Sequence, residues 1–586
     1  MSDFGLCDKW RSLHPNPDCL RSGRLFVDNT FPPNSGSLGD LPDLSTSQEN
    51  DAEWLRPADI LKLQKINDEP AFCIDGASRF DFGQGTVGNC WFLSAISALT
   101  FQKKLLAQVV PLDQSFKNYA GIFHFRFWRF GKWVDVIIDD YLPTINKQLL
   151  LANSKCGNEF WVPLLEKAYA KICGSYADMH WGSPSESFKD FTGGVTMTYK
   201  LREAHSAGHD AELWLTLKRA IQCKSLICSG TFPKEDALAN TISHTGLVDA
   251  HIYSVTAVTE VELYSSKVRL VRLMNPWGKQ EWNGKWSDKM QLEDFCYYFS
   301  HVCICCENPN FIDGDLKCQW KCMIYDGSWV AGRSAGGGVN NSTFATNPQY
   351  RIQVSVIDKE EPEDKNILLS LMQKPQQGQR RQRRFYPVGL TIYKTLQGHL
   401  GSSFFDGNNP LKTPNFYSFN SDLTELHSLE PGEYVIIPST MKPNMTADFA
   451  LTVYTKADVE ISSHSGGDEE EELILPQIRD KPKEETTEKD ANLISLFNLY
   501  ANQNGELLAG QLQKLLNDRF PHGLNVNDRT VRLMMFRYSR FSVTTLEDFI
   551  TLMLRLDKMS NIFKDKSSDG TMRLTWDEWS NISMYN

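Results

Sequence analysis

The spacing of apolar residues divides the chain into stretches of different character. From Leu25 to about Asn308, helix-like and strand-like patterns are mixed. Gly121 to Trp128 and Lys132 to Ile138 read as strands, and the Phe130-Gly131 turn between them predicts a hairpin. Phe160 to Tyr169 carries apolar residues at helical spacing, with Pro163 tolerable only in a first turn. After Cys90, residues Phe92, Ala95, Ile96 and Leu99 fall on one helical face. From about Pro309 to Ala457 the helical period fades. Alternating runs such as Tyr350 to Val356 and Gly432 to Pro438, with glycine-rich turns at Ala335 to Gly338, predict a separate all-β sandwich. Helical amphipathicity returns at the end, as in Leu493-Ile494 with Phe497, and in Leu546, Phe549, Ile550, Met553 and Leu554.

Length and charge narrow this picture. At about 150 residues per domain, 586 residues suggest roughly four domains. The chain has 61 Lys and Arg against 72 Asp and Glu, a net charge of −11, with 41% hydrophobic and 23% charged residues. That balance excludes a fibrous or disordered chain and leaves no basic excess for gripping nucleic acid. Residues 462–490 hold ten acids and four bases, a local charge of −6, and read as a solvated linker. Met1 to Gly5 lacks a basic start and apolar run, and no stretch of about 18 apolar residues follows. A cytoplasmic protein is expected, in which the 14 cysteines are reduced.

One thiol then differs from the rest. Cys90 follows the glycine-rich run Gly83-Gln84-Gly85-Thr86-Val87-Gly88-Asn89 and opens the apolar helix. The positive end of a helix dipole favours thiolate, the nucleophilic form. Gln84 is spaced so that its amide shares an oxyanion with the Cys90 backbone N–H. His251 stands at a strand entrance, and Asn275 ends a second strand twenty-four residues later, before Pro276 and Trp277. Two antiparallel strands would bring Asn275 to His251, with Trp277 shielding their hydrogen bond. A cysteine at a helix start is ordinarily a packed thiol. Four elements in the order Gln, Cys, His, Asn shift the reading toward papain-type nucleophilic catalysis.

These segments resemble the calpains, calcium-dependent cysteine proteases. The resemblance is carried by Gln84-Gly85 with Gly88-Asn89-Cys90-Trp91, Gly157-Asn158-Glu159-Phe160-Trp161, Asp190-Phe191-Thr192-Gly193-Gly194 and Asn275-Pro276-Trp277-Gly278. In the β region Asn347-Pro348-Gln349-Tyr350 and Pro431-Gly432-Glu433-Tyr434 continue it. It implies a papain-like core split into two lobes that calcium draws together, with Cys90, His251 and Asn275 as triad, Gln84 as oxyanion donor and Trp277 as shield. It also implies a first-lobe calcium site built from the carbonyls of Ile74 and Gly76 and the carboxylates of Asp81 and Glu159, all hard oxygen donors. In the second lobe Glu281 and Asp288 match the family's first two acids. The long acidic segment that follows in the family is missing, because Asp288 runs into Lys289 to Phe295. Met274 replaces an arginine that links the lobes in the family, so weakened calcium activation is expected.

The C-terminal helices resemble a shortened EF-hand domain. Asp565 to Gly570 fits positions one to six of a calcium loop, but position twelve is Trp576 and the bidentate acid is lost. The run Asn502 to Gly505 has no acid before its glycine. These hands are expected to pack or pair, making this domain a dimer contact, rather than to bind calcium. Arg380-Arg381-Gln382-Arg383-Arg384 is a basic cluster suited to acidic membrane lipids or to a solvated loop. Cys303, Cys305, Cys306, Cys318 and Cys322 lack paired zinc spacing.

The expected architecture is an α+β multidomain protein. It comprises a tail (1–24), protease lobe one (25–197), lobe two (198–308), a β-sandwich (309–457), an acidic linker (458–490) and a C-terminal α-helical EF-hand-like domain (491–586). The expected activity is calcium-dependent cysteine endopeptidase action, making limited cuts at flexible segments of protein substrates. The alternatives are a calpain-like scaffold that no longer cuts and, more weakly, an acyl-transferring thiol enzyme, which would prefer Asp at position 275.

Overall fold

The computed structural model describes residues 24–464 apart from 43, 46, 49–50, 75, 79–80, 86–87, 181, 233–241, 264–265, 277–281, 287–288, 313–319, 355–365, 375–384, 396–399, 415–416, 419–421 and 457–458. Beyond that it describes 495–502, 506–519, 531, 543–545, 549, 552–553, 567–568 and 571–572.

The first lobe forms around the helix Cys90–Leu99, every residue of which is buried. A helix apolar nearly all round has no solvent face to offer and becomes the centre of a core. Beside it runs the helix Trp161–Cys173, where Pro163 sits in the first turn and needs no intrahelical donor. Phe92 and Tyr169 join the two, their ring centroids 4.5 Å apart. The expected hairpin is present as Ile122–Arg129 paired with Lys132–Asp139. Phe130 (φ 47°) and Gly131 (φ 97°) both turn left-handed between the strands, the twist that a two-residue hairpin requires. Phe123, Phe125 and Phe127 alternate into the core, and Lys167 of the neighbouring helix forms a fully buried ion pair with Asp139 at the hairpin's end.

The second lobe is an antiparallel sheet of six strands. In spatial order they are Lys289–Gln291, Ser266–Met274, Ile252–Leu263, Leu226–Thr231, Phe299–Cys306 and Val195–Lys200. The strand Val195–Lys200 straddles the expected boundary at 197/198 and belongs wholly to this sheet, pairing with Phe299–Cys306. The division between lobes therefore falls at Gly193-Gly194. Gly194 packs where a Cβ would lie 2.3 Å from the Cys306 carbonyl oxygen. Cys303 and Cys305 are core residues of their strand, and Cys318 lies outside the described residues.

Two four-stranded sheets form the expected sandwich. One holds Lys321–Trp329, Ala447–Thr455, Ile367–Lys374 and Asp422–His427; the other holds Val388–Lys394, Gly432–Thr440, Gln349–Val354 and Val459–His464. Both limits shift from the sequence expectation. Phe311 and Trp320 pack into the core of the second lobe, so the sandwich starts at Lys321. Val459–His464, placed in the acidic linker by its neighbours' charge, is an edge strand on Gln349–Val354. Lys189 ties lobe one to the sandwich, donating to Asp422 at 2.6 Å and Ser370 at 3.1 Å.

The described C-terminal pieces mix helix and strand. Glu506–Leu508 pairs with Val543–Thr545 beside the helix Ala509–Arg519, and Phe497, Leu512, Leu516, Phe549 and Leu552 share a small core. Within the loop beginning at Asp565, Ser567–Ser568 pairs with Thr571–Met572, so the loop ladders onto itself. No helix among the described residues is long and apolar enough to cross a membrane.

Candidate active site

The strand Ile252–Leu263 begins immediately after His251, and the strand Ser266–Met274 ends immediately before Asn275. Their register sets Ser254 opposite Met274, which brings the two flanking residues together. His251 Nε2 lies 2.8 Å from Asn275 Oδ1, and both residues have no solvent exposure. Asn275 thereby claims Nε2, and Nδ1, which is also buried, is the other ring nitrogen. The backbone before His251 is bent by Ala250 at φ 52°, a conformation costing a residue with a Cβ about 1 kcal/mol or more. Thr231 fixes the far side: its Oγ1 accepts the His251 N–H at 3.0 Å. Tyr253 stands edge-on to the imidazole, 5.3 Å between centroids.

Cys90 comes to this pair from the other lobe. Ser94 Oγ donates to the Ile252 carbonyl at 2.8 Å, and Ser254 Oγ donates to the Ser94 carbonyl at 3.0 Å. Ser97 Oγ reaches Met274 Sδ at 3.8 Å, so Met274 itself touches lobe one. The Cys90 helix is thus stapled along the strand that begins beside His251.

Two electrostatic effects oppose one another at Cys90. The backbone N–H groups of Ile252, Trp91 and Cys90 do favour a thiolate, as a helix start should. Burial outweighs them and pushes the Cys90 thiol up to about 11. Burial likewise depresses His251 to about 4, against the opposing effect of its Asn275 hydrogen bond. At neutral pH the pair is an uncharged thiol and an uncharged imidazole.

Gln84 is half-buried just after the short strand Phe82–Gly83, which pairs with Asn153–Ser154. A Cβ on the next residue, Gly85, would lie 2.2 Å from the Leu151 carbonyl oxygen, so only glycine lets this loop close on its neighbour. Sequence reasoning missed Glu166. From the Trp161–Cys173 helix its Oε1 accepts the Asn89 side-chain N–H, and its Oε2 accepts the Ala152 N–H at 3.0 Å. Burial raises this carboxyl to about 8. The helix's single acid, set beside the apolar residues Leu164 and Leu165, was the available signal.

The first-lobe oxygen donors gather around one loop. Glu159 is buried, and its Oε1 accepts the Ile74 N–H at 2.7 Å. Asp81 Oδ2 accepts the Ser78 N–H at 2.5 Å. Gly76, between them, is exposed with φ 88°. Glu159 and Asp81 thus each hold a backbone N–H of the segment that carries Gly76, and their carboxylates are hard oxygen donors of the kind calcium takes. Trp277, Glu281 and Asp288 lie outside the described residues, as does the basic cluster Arg380 to Arg384.

Comparison with known proteins bears on this arrangement. The family model for calpain family cysteine proteases matches residues 26–294, and that for calpain large subunit domain III matches residues 325–454. Calpain-8 of Mus musculus is 36% identical over 613 residues, covering 94% of this chain and 84% of the relative. The calpain-2 catalytic subunit of Bos taurus is 34% identical over 606 residues, covering 95% and 84%. The chain belongs to the calpain family. Within this calpain-family chain, the protease match ends just past the strand Lys289–Gln291, and the domain III match spans the sandwich apart from its first residues and the edge strand Val459–His464.

Proposed function

We propose that this calpain-family chain is a cytoplasmic, calcium-regulated cysteine endopeptidase that makes limited cuts at flexible segments of proteins. The observation that carries the reading is the buried 2.8 Å contact between His251 Nε2 and Asn275 Oδ1, with the Cys90 helix stapled alongside. In this reading His251 Nδ1 takes the Cys90 proton as the sulfur attacks the peptide carbonyl. Gln84 and the Cys90 backbone N–H stabilise the oxyanion, and His251 then protonates the leaving amine. Water hydrolyses the thioester, with His251 again accepting the proton. Asn275 holds the ring with Nε2 occupied, and shielding of that bond is the role the family resemblance implies for Trp277, which lies outside the described residues.

Burial raises the Cys90 thiol and lowers the His251 imidazole, so both effects favour the neutral pair, and proton transfer that accompanies attack lets the oxyanion donors contribute at the moment charge develops.

Ile74 and Gly76 through their carbonyls, and Asp81 and Glu159 through their carboxylates, would hold calcium, which would supply positive charge to offset the two acids on the segment that leads to Gln84. Glu281 and Asp288, which lie outside the described residues, match only the first two acids of the family's second site in sequence, so activation is weaker than in a calpain with the full set. The C-terminal domain serves as a pairing surface, and the basic cluster Arg380 to Arg384, outside the described residues, is suited to acidic lipids or to a solvated loop.

A thiol-directed probe tests the reading. Calcium-dependent labelling of Cys90 and cleavage of an unfolded protein substrate, both lost in Cys90→Ala, are expected. Absence of labelling and cleavage at any calcium level would instead favour a calpain-like scaffold, a reading to which the dry, neutral Cys90 lends support.

A further inference from the structure

Away from the protease site, three helices of the second lobe bring three different donor types together. His205 lies in the last turn of Leu201–Ser206, Asp210 opens Asp210–Gln222, and Cys296 lies on Leu292–Tyr298. His205 Nδ1 is 2.9 Å from both Asp210 carboxylate oxygens. The imidazole nitrogen, a carboxylate oxygen and Cys296 Sγ all lie within 4.8 Å of one another. Cys296 has no solvent exposure, whereas the His205 and Asp210 side chains are 43% and 32% exposed. The cluster is therefore a shallow bowl with sulfur at its floor and nitrogen and oxygen at its rim. Glu293, one helical turn before Cys296, is exposed and adds its negative charge to that of Asp210 at the sulfur.

We infer that His205, Asp210 and Cys296 form a zinc site with its fourth position open to water or to Glu293. Zinc bonds of about 2.0–2.3 Å set tetrahedral ligands roughly 3.3–3.8 Å apart. The present spacing closes to that with side-chain movements of about 1 Å, because two of the three ligands are on the surface. The donor chemistry also selects the ion. A sulfur and an imidazole suit zinc and are poor ligands for calcium, which takes oxygen. The site is therefore distinct from the oxygen donors of the first lobe. Nothing in this inference depends on Cys90 being a competent nucleophile.

Occupancy would pin the two helices Leu201–Ser206 and Asp210–Gln222 to Leu292–Tyr298. That last helix runs straight into Phe299, whose ring packs on Tyr253 at 5.5 Å. Tyr253 in turn packs on His251.

Cobalt, a spectroscopic substitute for zinc, tests the site in the full chain carrying Cys90→Ala, which removes the competing Cys90–His251 pair. Titration should give a sulfur-to-cobalt charge-transfer band that saturates at about one equivalent and is displaced by zinc. The band should vanish in Cys296→Ser, and cobalt affinity should fall at least tenfold in His205→Ala. Absence of the band overturns the inference, as does a band unchanged in Cys296→Ser. Should Cys296→Ser fail to fold, the exposed His205→Ala decides: unchanged affinity there overturns the site.

Discussion

Asn89 and Glu166 meet one residue before the candidate nucleophile: the Asn89 side-chain amide donates to Glu166 Oε1. The other oxygen holds the Ala152 N–H, next to the Leu150 and Leu151 carbonyls that close on Gly85. One buried carboxyl therefore supports both walls around Gln84. Glu166→Ala deletes both contacts and leaves a cavity, so it should cost about 3 kcal/mol of stability. It should also lower kcat by tenfold or more, as the oxyanion donors lose their placement. Thermal denaturation and peptidase kinetics check this; an unchanged kcat in folded protein would remove Glu166 from any positioning role.

The same residue gives stability a pH dependence with a definite sign. Glu166 titrates near 4.5 when unfolded and near 8 when folded, so the folded state holds the proton more tightly. Its contribution is complete below pH 4.5 and is lost as pH rises toward 8, by on the order of 5 kcal/mol. His251 acts in the opposite sense, losing stability as pH falls from 6.5 toward 4. Comparing wild type with Glu166→Gln isolates the carboxyl. The difference in unfolding midpoint between pH 5 and pH 8 should shrink in the variant.

Reactivity of Cys90 should follow its buried, neutral state. Without calcium, alkylation by iodoacetamide should rise about tenfold for each pH step of one toward 11. Quantifying the labelled Cys90 peptide by mass spectrometry gives the profile. A flat rate between pH 5 and pH 8 would mean that a thiolate–imidazolium pair already exists.

Asn275→Ala should leave His251 folded but free to rotate. A fall in kcat/KM on the order of 10²-fold is expected from loss of orientation alone. Most of it should fall on kcat, since Asn275 is wholly buried and away from substrate.

Local chemistry made parts of this molecule readable from the sequence. The hairpin between Ile122 and Asp139 was visible because strand alternation and a Phe-Gly turn both point to it. The meeting of His251 and Asn275 was visible because each flanks a strand of a short antiparallel pair. What escaped depends on the rest of the fold. Val459–His464 sits beside an acid-rich run, and only pairing with Gln349–Val354 makes it a strand. The balance at the Cys90 thiol was not legible because a helix dipole is local, whereas burial depends on the whole fold. Glu166 carries no motif, and its role exists only once Asn89 and Ala152 are brought to it.

Ser94 and Ser254 join the lobes by two crossed hydrogen bonds, each from a hydroxyl to backbone of the opposite lobe. A buried neutral hydrogen bond is worth about 1 kcal/mol, and its loss also strands a buried carbonyl. Ser94→Ala and Ser254→Ala should each destabilise the protein by 1–2 kcal/mol, measured as about that much in denaturant unfolding. Because the two bonds close one contact, the double variant should cost less than the sum, with coupling of about 0.5 kcal/mol or more. Loosening this contact should also admit water to Cys90, so alkylation in the double variant should run several-fold faster than in wild type at pH 7. Faster alkylation without added calcium would show that these serines, together with Met274, hold the lobes closed. Unchanged alkylation alongside the stability loss would assign them to packing alone.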